Sequence, residues 1–461
     1  MKNKGYLLVC VSLLVAVLLG ACAPTSIQQP TAVPPTTVPP TEASAAPAAT
    51  EAPVATEAPV VTEAPVQNVN LEYWTFPDYA TGPMGDLQKK FISEFEAAHP
   101  GAKINMTGKS GDELNAATVS SAASGTLPNI NTGTTSMGAN FVAVNALKNV
   151  YDNWMAEPEA FRAQFNPQMI AEVSPGENTM YAMPYTGYAT FLYRNLKVLK
   201  AAGIDPNEKV ETWDQWLAQM KKIKDAGYLA LPSFYYDWWD FTNIYSGAAN
   251  EDEWGIDFDT NTTKINPDKY IQTVKFLEEA KKYGTDLAAQ DQAATDLFLS
   301  DKLAFLVTGP WMDPTFKEGQ TNTGLEYDYV LIPGATPDNK GGVRGTEHIS
   351  FSPTDPNFDL AWQFVMYLID EPQLKQVAET IGRYNVNDVV LSEVTDPLLA
   401  MTAEAAKSSL FERPPHFVKP YPGNYYQVLQ DNLAQITSGQ MTPEEGATAL
   451  IEQLNATIAG Q

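Results

Sequence analysis

The residues with chemistry to offer are mostly aromatic and acidic. All nine tryptophans and 20 of the 21 tyrosines lie after residue 67. Several fall at loop-like places. These are Trp74 and Phe76 at a strand end, Tyr185 and Tyr188 about a turn, and the run Phe234-Tyr235-Tyr236-Asp237-Trp238-Trp239-Asp240. Trp311 follows Gly309-Pro310, and Tyr425-Tyr426 follow Pro422-Gly423. An aromatic face can cover the C–H face of a sugar ring while Asp, Glu, Asn and Arg bond its hydroxyl rim. The competing role for each ring is a plain place in the core. Adjacent Trp238 and Trp239, however, cannot both face one core in a regular element. Catalytic patterns are missing: there is no G-x-S-x-G, H-E-x-x-H or G-x-x-x-x-G-K-[ST]. Asp259-Thr-Asn-Thr-Thr263 opens like a calcium loop, but Lys264 and Tyr270 stand where Gly and a bidentate Glu are needed, so a polar turn is expected. A glycosidase would need two carboxylates astride a bond, and no pair of acids is marked out.

These residues need a scaffold, and the hydropathy pattern supplies one. Asn70 to Phe76 alternates as a strand. Gly82-Pro83 opens a helix carrying Met84, Leu87, Phe91 and Phe95, closed by His99-Pro100-Gly101. Lys103–Met106 is a second strand, Asp112–Ser124 a helix ending at Gly125, and 128–132 a third strand. This alternation predicts a parallel sheet with helices on both faces. Further on, Thr212 to Gln215 forms a capping box. Asn266-Pro267, Asp355-Pro356 and Thr442-Pro443 each start a helix. Strand-like runs lie at Tyr181–Pro184, Ala189–Tyr193, Ala304–Val307, Tyr327–Ile332 and His348–Phe351. The fold class is α/β, with about 394 residues in the body, too many for one core.

The first 67 residues differ from the rest. Lys2 and Lys4 precede an apolar run from Tyr6 to Leu19, short for a spanning helix. It ends in Leu19-Gly20-Ala21-Cys22, which resembles the lipobox of bacterial lipoproteins and implies a signal peptide over 1–21 and a lipid on Cys22. Residues 22–67 are rich in Pro, Thr, Ala and Glu and contain ATEAPV, ATEAPV and VTEAPV in tandem from residue 49. That composition predicts a disordered, extended stalk. Without the two lysines and four glutamates of this segment, 27 basic residues face 51 acidic ones. So acidic a body excludes broad nucleic-acid binding. Both cysteines precede residue 23 and only three histidines exist, so no disulfide, thiolate metal site or cofactor is expected in the body.

The ordered segments resemble the family-1 extracellular solute-binding proteins, the sugar-binding components of ABC importers, akin to maltose-binding protein. They are Met180–Tyr185, Leu192–Asn195, Lys200–Asp205, Glu211–Leu217, Phe298–Trp311, Leu331–Gly334, Asp359–Val365 and the closing helix from Thr442. The resemblance implies a periplasmic-binding-protein-like fold of type II, with two α/β lobes around a ligand cleft. It places one lobe at 68–185 and 332–393 and the other at 186–331 and 394–461. It implies no catalysis, a carbohydrate ligand, ABC permease partners, and attachment to the outer face of the cell membrane through Cys22. Site positions carried over are Trp74, Asp78, Thr134, Thr135, Tyr185, Tyr236, Trp238, Trp311, Glu347, Arg383 and Tyr425. Trp311 is the expected stacking platform. Glu347 and His348 stand where relatives more often carry Gly or Ser. Within the same fold, a polyamine, polyol phosphate or peptide remains an alternative ligand, and a lipid-anchored glycosidase is the remote one.

Overall fold

The computed structural model describes residues 68–234, 238–289, 291–411 and 421–460. The segments expected to be a signal peptide and a stalk, with Cys22, and Tyr236 therefore lie outside the described residues. The strands are β1 Val69–Thr75, β2 Ala102–Gly108, β3 Ile130–Thr134, β4 Met183–Ala189, β5 Phe191–Asn195, β6 Ile256–Asp257 and β7 Thr262–Thr263. They continue with β8 Phe305–Thr308, β9 Tyr327–Val330, β10 Ile332–Pro333, β11 Lys340–Gly341, β12 Val343–Phe351, β13 Tyr384–Asn385 and β14 Leu410–Phe411. Helices fill most of the intervals between them.

The main sheet has seven strands in the order β13-β4-β12-β3-β1-β2, with β14 also on β12. In β1, Leu71, Tyr73 and Thr75 are buried and Glu72 is exposed, the alternation read from the sequence. Strand β1 runs parallel to β2 and β3, as the β-α-β pattern predicts. Strand β12 runs antiparallel to both β3 and β4. The sheet is therefore mixed, not parallel throughout, because a late segment of the chain returns and inserts at its centre. Strand β5 lies between β8 and β9 in a separate antiparallel sheet.

One apolar core draws on residues 71–185 and 349–390, and includes Tyr73, Phe91, Phe95, Phe364 and Leu374. A second draws on 192–332 and 410–458, with Trp216, Trp254, Phe305 and Leu450. A third, smaller cluster joins Ala189, Phe191, Phe298 and Phe316 to Leu398 and Ala405.

Local chemistry sets the helix ends. Thr212 accepts from the Gln215 amide in a complete capping box, and Thr442 does the same with Glu445. Gly125, with φ near 70°, ends its helix in the left-handed region. The helix expected from Asp355 begins instead at Phe358. Asp355 Oδ1 accepts from the Asn357 amide at 2.8 Å, and that local turn delays the helix. The strands expected at 181–184 and 189–193 are redistributed, since β4 runs to Ala189 and Thr190 breaks the chain before β5. Among the described residues, no helix is long and apolar enough to cross a membrane.

Candidate ligand-binding site

The site begins at the C-terminal end of β1. The chain turns there into the short helix Pro77–Ala80, which presents Asp78 and Tyr79. Glu347 enters from the middle of β12, in register with Thr134 on one side and Thr186 on the other. Arg383 arrives from a third direction. Gly382, with φ near 60°, caps the helix Glu371–Ile381 and turns the chain into β13. The Arg383 guanidinium meets the carboxylates of both Glu347 and Asp78 and also donates to the Tyr79 hydroxyl at 2.9 Å. The Glu347 carboxylate further accepts from Tyr79 and, at 2.9 Å, from the Thr186 hydroxyl.

Arg383 and Glu347 are nearly inaccessible, while the Asp78 side chain is 35% exposed. Burial pushes the Glu347 carboxyl up, and the guanidinium beside it opposes that shift. For Arg383, burial alone favours loss of charge. The Glu347 and Asp78 carboxylates outweigh it and hold the guanidinium protonated. One guanidinium faces two carboxylates, so the cluster carries an excess of one negative charge.

An aromatic group stands over this cluster. Trp311 is half-buried, 6.0 Å from the Arg383 guanidinium. Its ring meets Tyr188 edge-on at 5.6 Å and lies 6.1 Å from Trp239. Two glycines make room. A Cβ on Gly309 would fall 2.0 Å from the Trp311 ring, and one on Gly345 would fall 2.5 Å from the Tyr188 hydroxyl. The neighbouring Trp238 packs on Tyr426 at 4.2 Å, and Tyr426 stacks on Tyr421 at 5.7 Å. The adjacent tryptophans thus serve two different contacts at the start of the helix Trp238–Tyr245.

The structure brings Asp78, Glu347, Arg383 and Trp311 together. Thr134 lines the same strand pairing, but its hydroxyl is engaged with Ser136 at 2.6 Å, and Thr135 is buried beside it. Tyr185 is wholly buried. Its hydroxyl accepts from Gln88 at 2.5 Å, and its ring packs 5.7 Å from Tyr79. Tyr425 is also wholly buried and donates to the Gly255 carbonyl at 3.2 Å, so it belongs to the core there. Trp74 leaves β1 on the face opposite Tyr73, with Lys109 over its ring at 4.6 Å. His348 is a core histidine: its Nε2–H donates to the Thr134 carbonyl at 3.0 Å, and burial lowers its pKa to about 4. Tyr188, Trp239 and Tyr426 belong to the aromatic runs singled out in the sequence but not to the carried-over site positions, and Tyr79 and Thr186 belong to neither. Among the described residues, no group of three or more His, Cys, Asp or Glu is placed to hold a metal.

Residues 80–375, more than half of the chain, match the family of bacterial extracellular solute-binding proteins. The chain belongs to that family. As a family member it is 29% identical over 272 residues to a Brucella melitensis sn-glycerol-3-phosphate-binding periplasmic protein, covering 55% of this chain and 57% of the relative. It is 24% identical over 235 residues to a Pyrococcus abyssi maltotriose-binding protein, covering 49% and 48% respectively. The chain thus spans about half the length of the curated relatives it matches. These relatives are named as binding proteins. The GacH receptor of Streptomyces glaucescens, solved unliganded and with acarbose, superposes with a TM-score of 0.72 at 18% identity, over 85% of this chain and 98% of that one. A Thermus thermophilus maltotriose-binding protein gives 0.70 at 17%, over 85% and 99%. These likenesses show the fold. It is periplasmic-binding-protein-like, of type II, with α/β lobes and a mixed sheet.

Proposed function

We propose that this protein is the extracytoplasmic solute-binding component of an ABC importer and that it captures a neutral sugar between its two lobes. The observation that carries the reading is the half-buried Trp311, set against Tyr188 and Trp239 and above the Arg383–Glu347–Asp78 cluster. Trp311 supplies a flat apolar face for a sugar ring. The partly exposed Asp78 supplies an acceptor for hydroxyls. Arg383 is committed to two carboxylates, and the net negative charge of the cluster disfavours a phosphate.

The partition of the apolar cores supports lobes at 68–185 with 332–393 and at 186–331 with 394–461. Closure of those lobes on the ligand is the signal a permease would read. The protein performs no catalysis on its ligand. The Leu19-Gly20-Ala21-Cys22 sequence and the Pro-rich segment behind it support lipid anchoring through Cys22 at the outer face of the membrane.

The second reading is a polyol phosphate, favoured by the glycerol-phosphate-binding relative. A thermal-shift panel of the purified protein separates the two, since ligand at a thousand times its Kd stabilises the folded state by about 4 kcal/mol. Stabilisation by neutral sugars supports the reading. Stabilisation by glycerol 3-phosphate alone overturns the sugar assignment and leaves the fold assignment standing.

A further inference from the structure

A cavity of about 780 Å³ lies beside β4 and β12, lined from the helix Pro167–Glu172, the helix Pro397–Ser408, β13 and β14. Of the residues assembled in the ligand site, Tyr188 and Gly345 also border it. The strand register explains the separation. Paired residues of β4 and β12 share a face, and the faces alternate along the strands. Thr186 with Glu347, and Tyr188 with Gly345, point to the ligand site. Gly187 with Thr346, and Ala189 with Arg344, point the other way, and Gly187, Thr346 and Arg344 line the cavity.

Glu172 occupies that second face. It is only 8% exposed, and its Oε2 is buried without a hydrogen-bond partner. Arg344 is nearby but committed elsewhere. It donates to Glu251 at 2.9 Å and to the carbonyls of Ala406 and Ser409, and it covers the Phe411 ring at 4.1 Å. Lys407 is paired with Glu404 at 2.6 Å. One guanidinium therefore faces two carboxylates, Glu172 and Glu251, and one negative charge is left over. A buried carboxylate oxygen with neither donor nor counter-ion is costly. An ammonium supplies both, whereas an anion would meet the same excess charge. Apolar and aromatic walls, including Met169, Tyr384 and Ala403, leave room for a carbon skeleton.

We propose that this cavity is a second solute site, for a small organic amine whose ammonium pairs with Glu172 Oε2 and whose carbon skeleton lies against Met169, Tyr384 and Ala403. The inference does not depend on what the Trp311 site binds.

The test is calorimetric titration of the full chain with 3-methylbutylamine and 2-phenylethylamine, and with the alcohols of the same two skeletons. Burial pushes the Glu172 carboxyl up to about 7, so the titration is run near pH 8, where the carboxylate is ionised. The expected result is binding of an amine and not of its alcohol. Glu172→Gln should weaken it by at least about tenfold. Ala403→Trp, which fills the cavity from the helix Pro397–Ser408, should abolish it, and Trp311→Ala should leave it unchanged. Melting curves of the unliganded variants are to check that each is folded. The proposal is overturned if neither amine binds, if the alcohols bind as well, or if amine binding survives Glu172→Gln and Ala403→Trp. Loss of amine binding in Trp311→Ala alone would move the amine to the other site and also overturn it.

Discussion

The guanidinium of Arg383 lies 6.0 Å from the ring of Trp311, with its charge already spent on Glu347 and Asp78. Charge and aromatic surface are thereby held together, but the one cation is already engaged by two acids and none is left free for an anionic ligand. That combination suits a ligand with many hydroxyls and no net charge. It also makes the cluster a structural element, since a buried cation and a buried anion are each expensive alone.

Removing one partner should therefore destabilise the fold as well as the site. Arg383→Ala leaves Glu347 buried without a counter-charge, which costs about 3–5 kcal/mol. Urea denaturation should show this as a lower midpoint with an unchanged slope. The double replacement Arg383→Met with Glu347→Leu should recover much of the loss. A single variant as stable as the parent would show that the pair is not buried as described.

Gly309 should act on ligand binding through Trp311. A methyl group there would sit 2.0 Å from the indole, so Gly309→Ala must displace the ring. We expect ligand affinity to fall nearly as far as in a variant lacking the indole, while the melting temperature changes little. An unaltered affinity would mean that the orientation of Trp311 is immaterial.

His348 and Glu172 should pull stability in opposite directions with pH. Burial lowers His348 from 6.5 to about 4, so its contribution is full above about 6.5 and is lost as pH falls toward 4. Burial raises Glu172 from 4.5 to about 7, so its contribution is full below about 4.5 and is lost as pH rises toward 7. Each shift corresponds to something on the order of 3 kcal/mol. Relative to the parent, His348→Asn should lose stability as pH rises from 4.5 to 6.5, and Glu172→Gln should gain it. Denaturation curves for either variant that run parallel to the parent across this window would refute the assignment.

Much of this architecture is legible in the sequence because local chemistry specifies it. The alternation in Val69–Thr75, the capping boxes at Thr212 and Thr442, and the Gly309-Pro310-Trp311 turn all depend on residues close in the chain. Strand direction does not, so the antiparallel insertion of β12 could not be read from periodicity. Asp78 and Arg383 stand out as polar residues beside turns and Glu347 as an acid within a strand, but their meeting joins positions up to 305 residues apart in sequence. Tyr79 and Thr186 gave no signal of their own. Tyr425 did carry one. Buried Tyr425, Leu429, Leu433 and Ile436 follow the helical period, which marks Tyr425 as the inward ring and leaves Tyr426 to meet Trp238.

The most direct measurement is calorimetric titration of neutral mono- and oligosaccharides into the parent protein and into Trp311→Ala. A neutral sugar should bind the parent, and the substitution should weaken that binding by about 2–4 kcal/mol, as loss of an anchoring aromatic does. A sugar that binds both proteins equally, or a parent that takes glycerol 3-phosphate and no neutral sugar, would contradict the proposed function.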